Sequence, residues 1–134
     1  MSETLNVNIV TYQLETAIVT GDGFQALVLK APISANGGAI RIIDAYVVNG
    51  AVTTAGTGWS MTLQNRGTTG VVSAVAVSTL TGGTGSPFAL NTPQRFTITN
   101  PILKAGEWLG FVKNQTNTSA PVNGQLVIHY LNGV

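Results

Sequence analysis

The side chains able to do chemistry are few and scattered. The 134-residue chain has five acids, Glu3, Glu15, Asp22, Asp44 and Glu107, one histidine, His129, and no cysteine. Glycoside hydrolysis needs two carboxylates across one cleft, and nothing in the spacing of these acids pairs any two. Asp22 stands between Gly21 and Gly23, where aspartate is a usual turn former. Asp44 lies inside an apolar stretch, and a buried carboxylate must be paired or hydrogen-bonded. Arg41 is close in sequence but on the other phase unless the strand bulges. A structural ion pair or a solvent-facing edge is therefore expected for Asp44 in preference to a catalytic role. A single histidine excludes two-histidine metal motifs. The lack of cysteine excludes disulfides, thiolate nucleophiles and cysteine-based zinc or iron–sulfur sites. No Gly-x-Ser-x-Gly elbow is present. Gly82-Gly83-Thr84-Gly85 lacks the Lys-Ser/Thr ending and the following helix of a phosphate loop, and reads as a connection between strands. The expectation is a protein with no catalytic residue, no metal site and no cofactor, hence not an enzyme.

The aromatic residues Trp59, Trp108, Phe111 and Tyr130 raise a second chemistry, stacking on sugar rings. Trp59 is in phase with Met61 and Leu63, which marks it as core. Trp108 neighbours Leu109, so one of the two faces out or the strand is buried on both sides. A core or subunit-contact role is favoured for these rings over a carbohydrate platform. His129, between Ile128 and Tyr130, reads as a surface or packing residue. The sequons Asn114-Gln115-Thr116 and Asn117-Thr118-Ser119 mark a polar loop.

Charge limits the partners. Only 8% of residues are Asp, Glu, Lys or Arg, with a formal net charge of +1, against about a quarter charged in an average globular protein. The basic residues Lys30, Arg41, Arg66, Arg95, Lys104 and Lys113 are scattered singly, so no basic stripe exists to displace counterions from nucleic acid. A surface poor in charge repels its own copies little and tolerates close contact with them. The opening MSETLNVN has neither the basic nor the apolar region of a secretory signal. No apolar run approaches the roughly twenty residues of a membrane span. Synthesis and folding in a cytoplasm are expected.

The elements that must position these residues are strands. With 16 Gly and 5 Pro, few stretches of a dozen residues avoid both. Apolar residues recur at every second position or in short continuous runs, and Val, Ile and Thr dominate. Strands are predicted within 6–20, and at 24–30, 39–48, 59–65, 71–80, 95–99, 107–113 and 125–131. Turns are predicted at Gly21-Asp22-Gly23, Ala35-Asn36-Gly37-Gly38 and Leu103-Lys104-Ala105-Gly106. The phase shift at Ile42 and Ile43 predicts a β-bulge or burial on both faces. About eight strands, with turns every eight to twelve residues, predict a single all-β domain over 1–134. Its architecture is an antiparallel two-sheet sandwich of jelly-roll type.

The sequence resembles the small jelly-roll proteins of tailed bacteriophages that decorate or cement the outside of the capsid. The resemblance covers nearly the whole chain. It is carried by Ile40-Arg41-Ile42-Ile43-Asp44-Ala45-Tyr46-Val47-Val48, Gly58-Trp59-Ser60-Met61-Thr62-Leu63, Leu103-Lys104-Ala105-Gly106-Glu107-Trp108-Leu109 and Gly124-Gln125-Leu126-Val127-Ile128-His129-Tyr130. It implies a non-enzymatic virion protein on the capsid surface. The implied partners are the major capsid protein and its own copies, as a homotrimer, with no nucleic acid and no membrane. The alternatives are a carbohydrate-binding jelly-roll module, or another head-fibre or tail-associated protein.

The candidate partner contacts are Leu5, Val7, Ile9 and Trp108. Leu5, Val7 and Ile9 fall at period two with Asn6 and Asn8 between them, a strand pattern with one sticky face. Residues 1–10 are either an arm, of which 2–10 would reach across to a neighbouring chain, or the first strand of the domain's own sheet. Both readings stand open from the sequence.

Overall fold

Short runs of β-branched residues between glycine-rich links favour extended chain, and every regular element among the described residues is a strand. A computed structural model describes residues 7–13, 24–33, 38–48, 59–71, 75–82, 93–115 and 124–133. Among them are nine strands: β1 (Asn8–Gln13), β2 (Phe24–Lys30), β3 (Ile40–Val48), β4 (Trp59–Asn65), β5 (Val75–Gly82), β6 (Gln94–Arg95), β7 (Ile102–Leu103), β8 (Trp108–Gln115) and β9 (Gln125–Asn132).

Their pairing is nested. β1 pairs with β9, β2 with β8, β3 with β6 and β7, and β4 with β5, all antiparallel. That is one long antiparallel ribbon whose tip is the β4–β5 link. Rolling the ribbon adds the pairs β3–β9 and β4–β8 and divides it into two sheets. The first has the order β1-β9-β3-β6, with β7 also on β3, and the second has the order β2-β8-β4-β5. The result is an all-β two-sheet sandwich with jelly-roll strand order. The short strands β6 and β7 share one edge of β3 and act as a single interrupted strand, which reconciles nine segments with the eight predicted.

The inner faces interdigitate as in any packed sandwich. β3 contributes Ile40, Ile42, Ala45 and Val47, β9 contributes Leu126 and Ile128, β4 contributes Met61 and Leu63, and β8 contributes Leu109 and Phe111. Ala31, Phe96 and Leu103 complete the cluster. The bulge predicted in β3 is present, as a register shift between Ile42 and Asp44 against β9. It inverts the pleat, so Ile40 and Ile42 point inward before it and Ala45 and Val47 after it.

Two predicted strands differ most from those formed. The strand placed at 95–99 is confined to Gln94–Arg95. Opposite the bulge the backbone bonds run Phe96 N–H to Ala45 O (2.9 Å) and Ile42 N–H to Pro101 O (2.8 Å), and ladder pairing resumes only at β7, which the sequence reading missed. Phe96 points inward, and Ile98 packs against the core. β5 runs over Val75–Gly82, Val71 is outside any strand, and residues 72–74 lie outside the described residues. The turns predicted at Gly21-Asp22-Gly23 and Ala35-Asn36-Gly37 lie outside the described residues, as do the loop at Gly83-Thr84-Gly85, residues 116–119 of the sequons, Glu3 and Glu15.

Candidate interaction surface

The outer face of the first sheet gathers most of the chemically distinctive side chains. In β1, Val10 and Tyr12 pack on the core, so Ile9 and Thr11 point away from it. Ile9 is 60% exposed and Val7 46%. Across the ladder, Ile9 pairs with His129, and His129 pairs with Asp44. The next row runs Thr11, Val127, Tyr46, Arg95. A third joins Leu131, Arg41 and Ile102, the last 40% exposed. Ile43, thrust out by the bulge, is 42% exposed. Val127, on the outer side, is nonetheless only 9% exposed, because its row neighbours Thr11 and Tyr46 flank it.

The polar groups of this face hold one another. Arg95 forms an ion pair and hydrogen bond with Asp44. The same guanidinium lies 4.8 Å from the centre of the Tyr46 ring, a cation–π arrangement. Tyr46 and His129 meet at 5.8 Å between ring centres. The predicted ion pair of Asp44 is therefore real, but its partner is Arg95 across the β3–β6 ladder and not Arg41. Among the described residues no group of three or more His, Asp or Glu could hold a metal ion.

Glu107 is an anchor for local structure. Its Oε2 accepts the Lys104 N–H at 2.8 Å and the Asn65 Nδ2–H at 2.7 Å. The Glu107 N–H donates to Lys104 O at 3.0 Å. The Ala-Gly-Glu turn thus closes on its own carboxylate, with Gly106 at φ +79° where a left-handed conformation suits glycine. Asn65 then fixes the β4 exit, its Oδ1 accepting the Gly67 N–H at 2.9 Å. Arg66 finishes that turn through bonds to Gly70 O (3.1 Å) and Gln64 Oε1 (2.9 Å).

Trp108 belongs to the other sheet and the other side of the molecule. Leu109 is fully buried and Trp108 half-buried, so the two are divided between inside and outside. The Lys30 ammonium sits 5.0 Å from the Trp108 ring centre, and Gly70 of the β4–β5 turn lies beside the ring. Of the candidate contacts, Val7 and Ile9 share one face, Trp108 is remote from them, and Leu5 lies outside the described residues. The expectation for the Trp59 side chain also lies outside what is described, although its backbone opens β4.

The first strand answers part of the question left by the sequence. From Asn8 onward the chain is a member of its own sheet, paired with β9 over Asn8 to Gln13. Residues 1–6 lie outside the described residues. The sequence reading missed Arg95 and Tyr46 on this face, and also Lys113, which is buried at 3% exposure. Period two from Leu109 and Phe111 points to an inward Lys113, but only the β8 register against Met61 fixes it.

Compared with known protein families, curated proteins and solved structures, the chain gives no match.

Proposed function

We propose that this protein is a non-enzymatic virion structural protein that binds the outside of an assembled bacteriophage capsid as a homo-oligomer and stabilises the shell. The observation that carries this reading is the outer face of the first sheet. There Val7, Ile9, Ile43 and Ile102 are 40–60% exposed around a Tyr46–Arg95–His129 cluster. Exposed aliphatics joined by tyrosine and arginine are the composition of protein–protein contact surfaces. The sequence resemblance to decoration proteins supplies the identity of the shell. The low charge fits a subunit that lies against other subunits.

Sugar stacking on Trp108 has weaker support, because Lys30 already occupies the neighbourhood of the ring and the β4–β5 turn packs beside it. Co-sedimentation with capsids purified from the same phage tests the main reading. Saturable pelleting, with a rise in the temperature at which the shells break, is the expected result. A protein that stays in the supernatant at all concentrations, and leaves shell breakage unchanged, would refute it.

A further inference from the structure

The ladder between β3 and β9 ends on a reactive dipeptide. Asn-Gly occurs at 36–37, 49–50, 123–124 and 132–133, and of these only Asn132-Gly133 falls wholly within the described residues. An asparagine followed by glycine can cyclise, because glycine has no side chain to block the approach of its own nitrogen. The Gly133 nitrogen attacks Asn132 Cγ and a new C–N bond closes a five-membered imide. The side-chain amide leaves as ammonia and carries away the proton that the attacking nitrogen gave up. Water then opens the ring at either carbonyl, leaving aspartate or isoaspartate at position 132. Water is the only co-reactant.

In the fold that nitrogen is already engaged. The Gly133 N–H donates to Ala39 O at 3.0 Å. Asn132 is the last residue of β9 and stands opposite Ile40, whose side chain is fully buried. Gly133 then turns out of the strand at φ +74°. The hydrogen bond aims the nitrogen at β3 and occupies the proton it must lose. The ladder holds the Asn132 backbone extended, so the nitrogen reaches Cγ only by rotation that breaks the bond to Ala39. Asn132 and Gly133 are both exposed, so water and hydroxide reach the site, and access does not limit the reaction. We infer that Asn132-Gly133 is a self-modification site held shut by its bond to Ala39, and that it reacts only when the end of β9 opens from β3. The isoaspartate product routes the main chain through the former side-chain carbon. That adds one backbone atom ahead of Gly133, so its N–H no longer falls opposite Ala39 O. A carboxylate also replaces the amide at the end of β9. The modification thus removes the bond that prevented it. The inference is independent of capsid binding.

The test compares rates on the whole protein. Samples with and without unfolding concentrations of urea are held in the same mildly alkaline buffer. Aspartate and isoaspartate at position 132 are read by peptide mapping. One backbone bond supports a slowing of about two- to tenfold in the folded sample, and the ladder pair beside it adds to that. Hydrogen exchange at the Gly133 amide gives an independent measure, because exchange needs the same local opening. Its protection factor is expected to match the slowing. Equal rates in the two samples, or a faster folded one, overturn the inference. So does a slowing that differs widely from the amide protection in either direction, since the bond to Ala39 would then not be what controls the reaction.

Discussion

Glu107 and Asp44 show how differently two carboxylates can act in one small chain. Glu107 accepts two hydrogen bonds, from the Lys104 amide and the Asn65 side chain, and both donors lose their partner if it is truncated. The first bond is exposed and the second part-buried, so water takes over some of the loss, and the net contribution of such a bond is about 0.5–1.5 kcal/mol. Glu107→Ala is therefore expected to lower unfolding stability by about that much in urea titrations, and Glu107→Gln by less, since an amide oxygen can keep one bond. Asp44 is held by Arg95 in the open, with side chains 33% and 58% exposed. Exposed ion pairs contribute on the order of 0.2–1 kcal/mol. A double-mutant cycle on Asp44→Ala and Arg95→Ala is expected to give a coupling within that range. A coupling well above it would mean that the Tyr46 and His129 rings shield the pair from water. The glycines separate in the same way. Gly70 and Gly133 both have positive φ, but a methyl group at Gly70 would stand 2.7 Å from Leu27 Cδ1, and one at Gly133 meets nothing. Gly133→Ala should cost about 1–2 kcal/mol from backbone strain alone. Gly70→Ala should cost more, because Leu27 must also move.

At the level of elements, the bulge in β3 sets which residues face the core. Deleting Ile43 removes the extra residue and leaves Ile40, Ile42, Ala45 and Val47 on the inner face. Deleting Ala45 also restores plain alternation but puts Asp44 on the inner face in its place, and burying a carboxylate without a partner is costly. The Ile43 deletion is expected to melt cooperatively near the wild type, and the Ala45 deletion well below it. Circular dichroism decides the order. This bulge was legible in the sequence, since two adjacent isoleucines break an alternating pattern. So were the spans of β2 and β4, whose alternation ends at polar or glycine-rich links. The interruption between β6 and β7 was not legible, because it follows from the bulge on a strand about fifty residues away. For the same reason the sequence does not name the partner of Asp44. Arg95 becomes its neighbour only through the β3–β6 ladder. The surface itself was half legible. Period two marked Val7 and Ile9, but the cluster of Tyr46, Arg95 and His129 comes from three strands brought together by rolling the ribbon.

For the molecule as a whole, capsid binding through the outer face of the first sheet, as proposed, is expected to change little with salt. Its exposed Val7, Ile9, Ile43 and Ile102 are uncharged and Arg95 is paired with Asp44, while screening acts only on charges, over about 30 Å at 0.01 M and about 3 Å at 1 M ionic strength. Pelleting measured at those two ionic strengths should agree. Loss of binding at high salt would point to an interface through Lys104 or Lys30 instead. The position of β9 has a consequence for how the protein comes into being. β9 is the middle of the first sheet, with β1 on one side and β3 on the other, yet translation reaches it after every other described strand. Until Gln125 to Asn132 have left the ribosome, β1 and β3 have nothing to hold them side by side. Contacts so distant in sequence form slowly, and unpaired strand edges are the ones that stick to other chains. Neighbouring nascent chains on one messenger would each present a bare, neutral β1 during that interval. A chain halted before β9 is therefore the form most at risk of sticking to its neighbours.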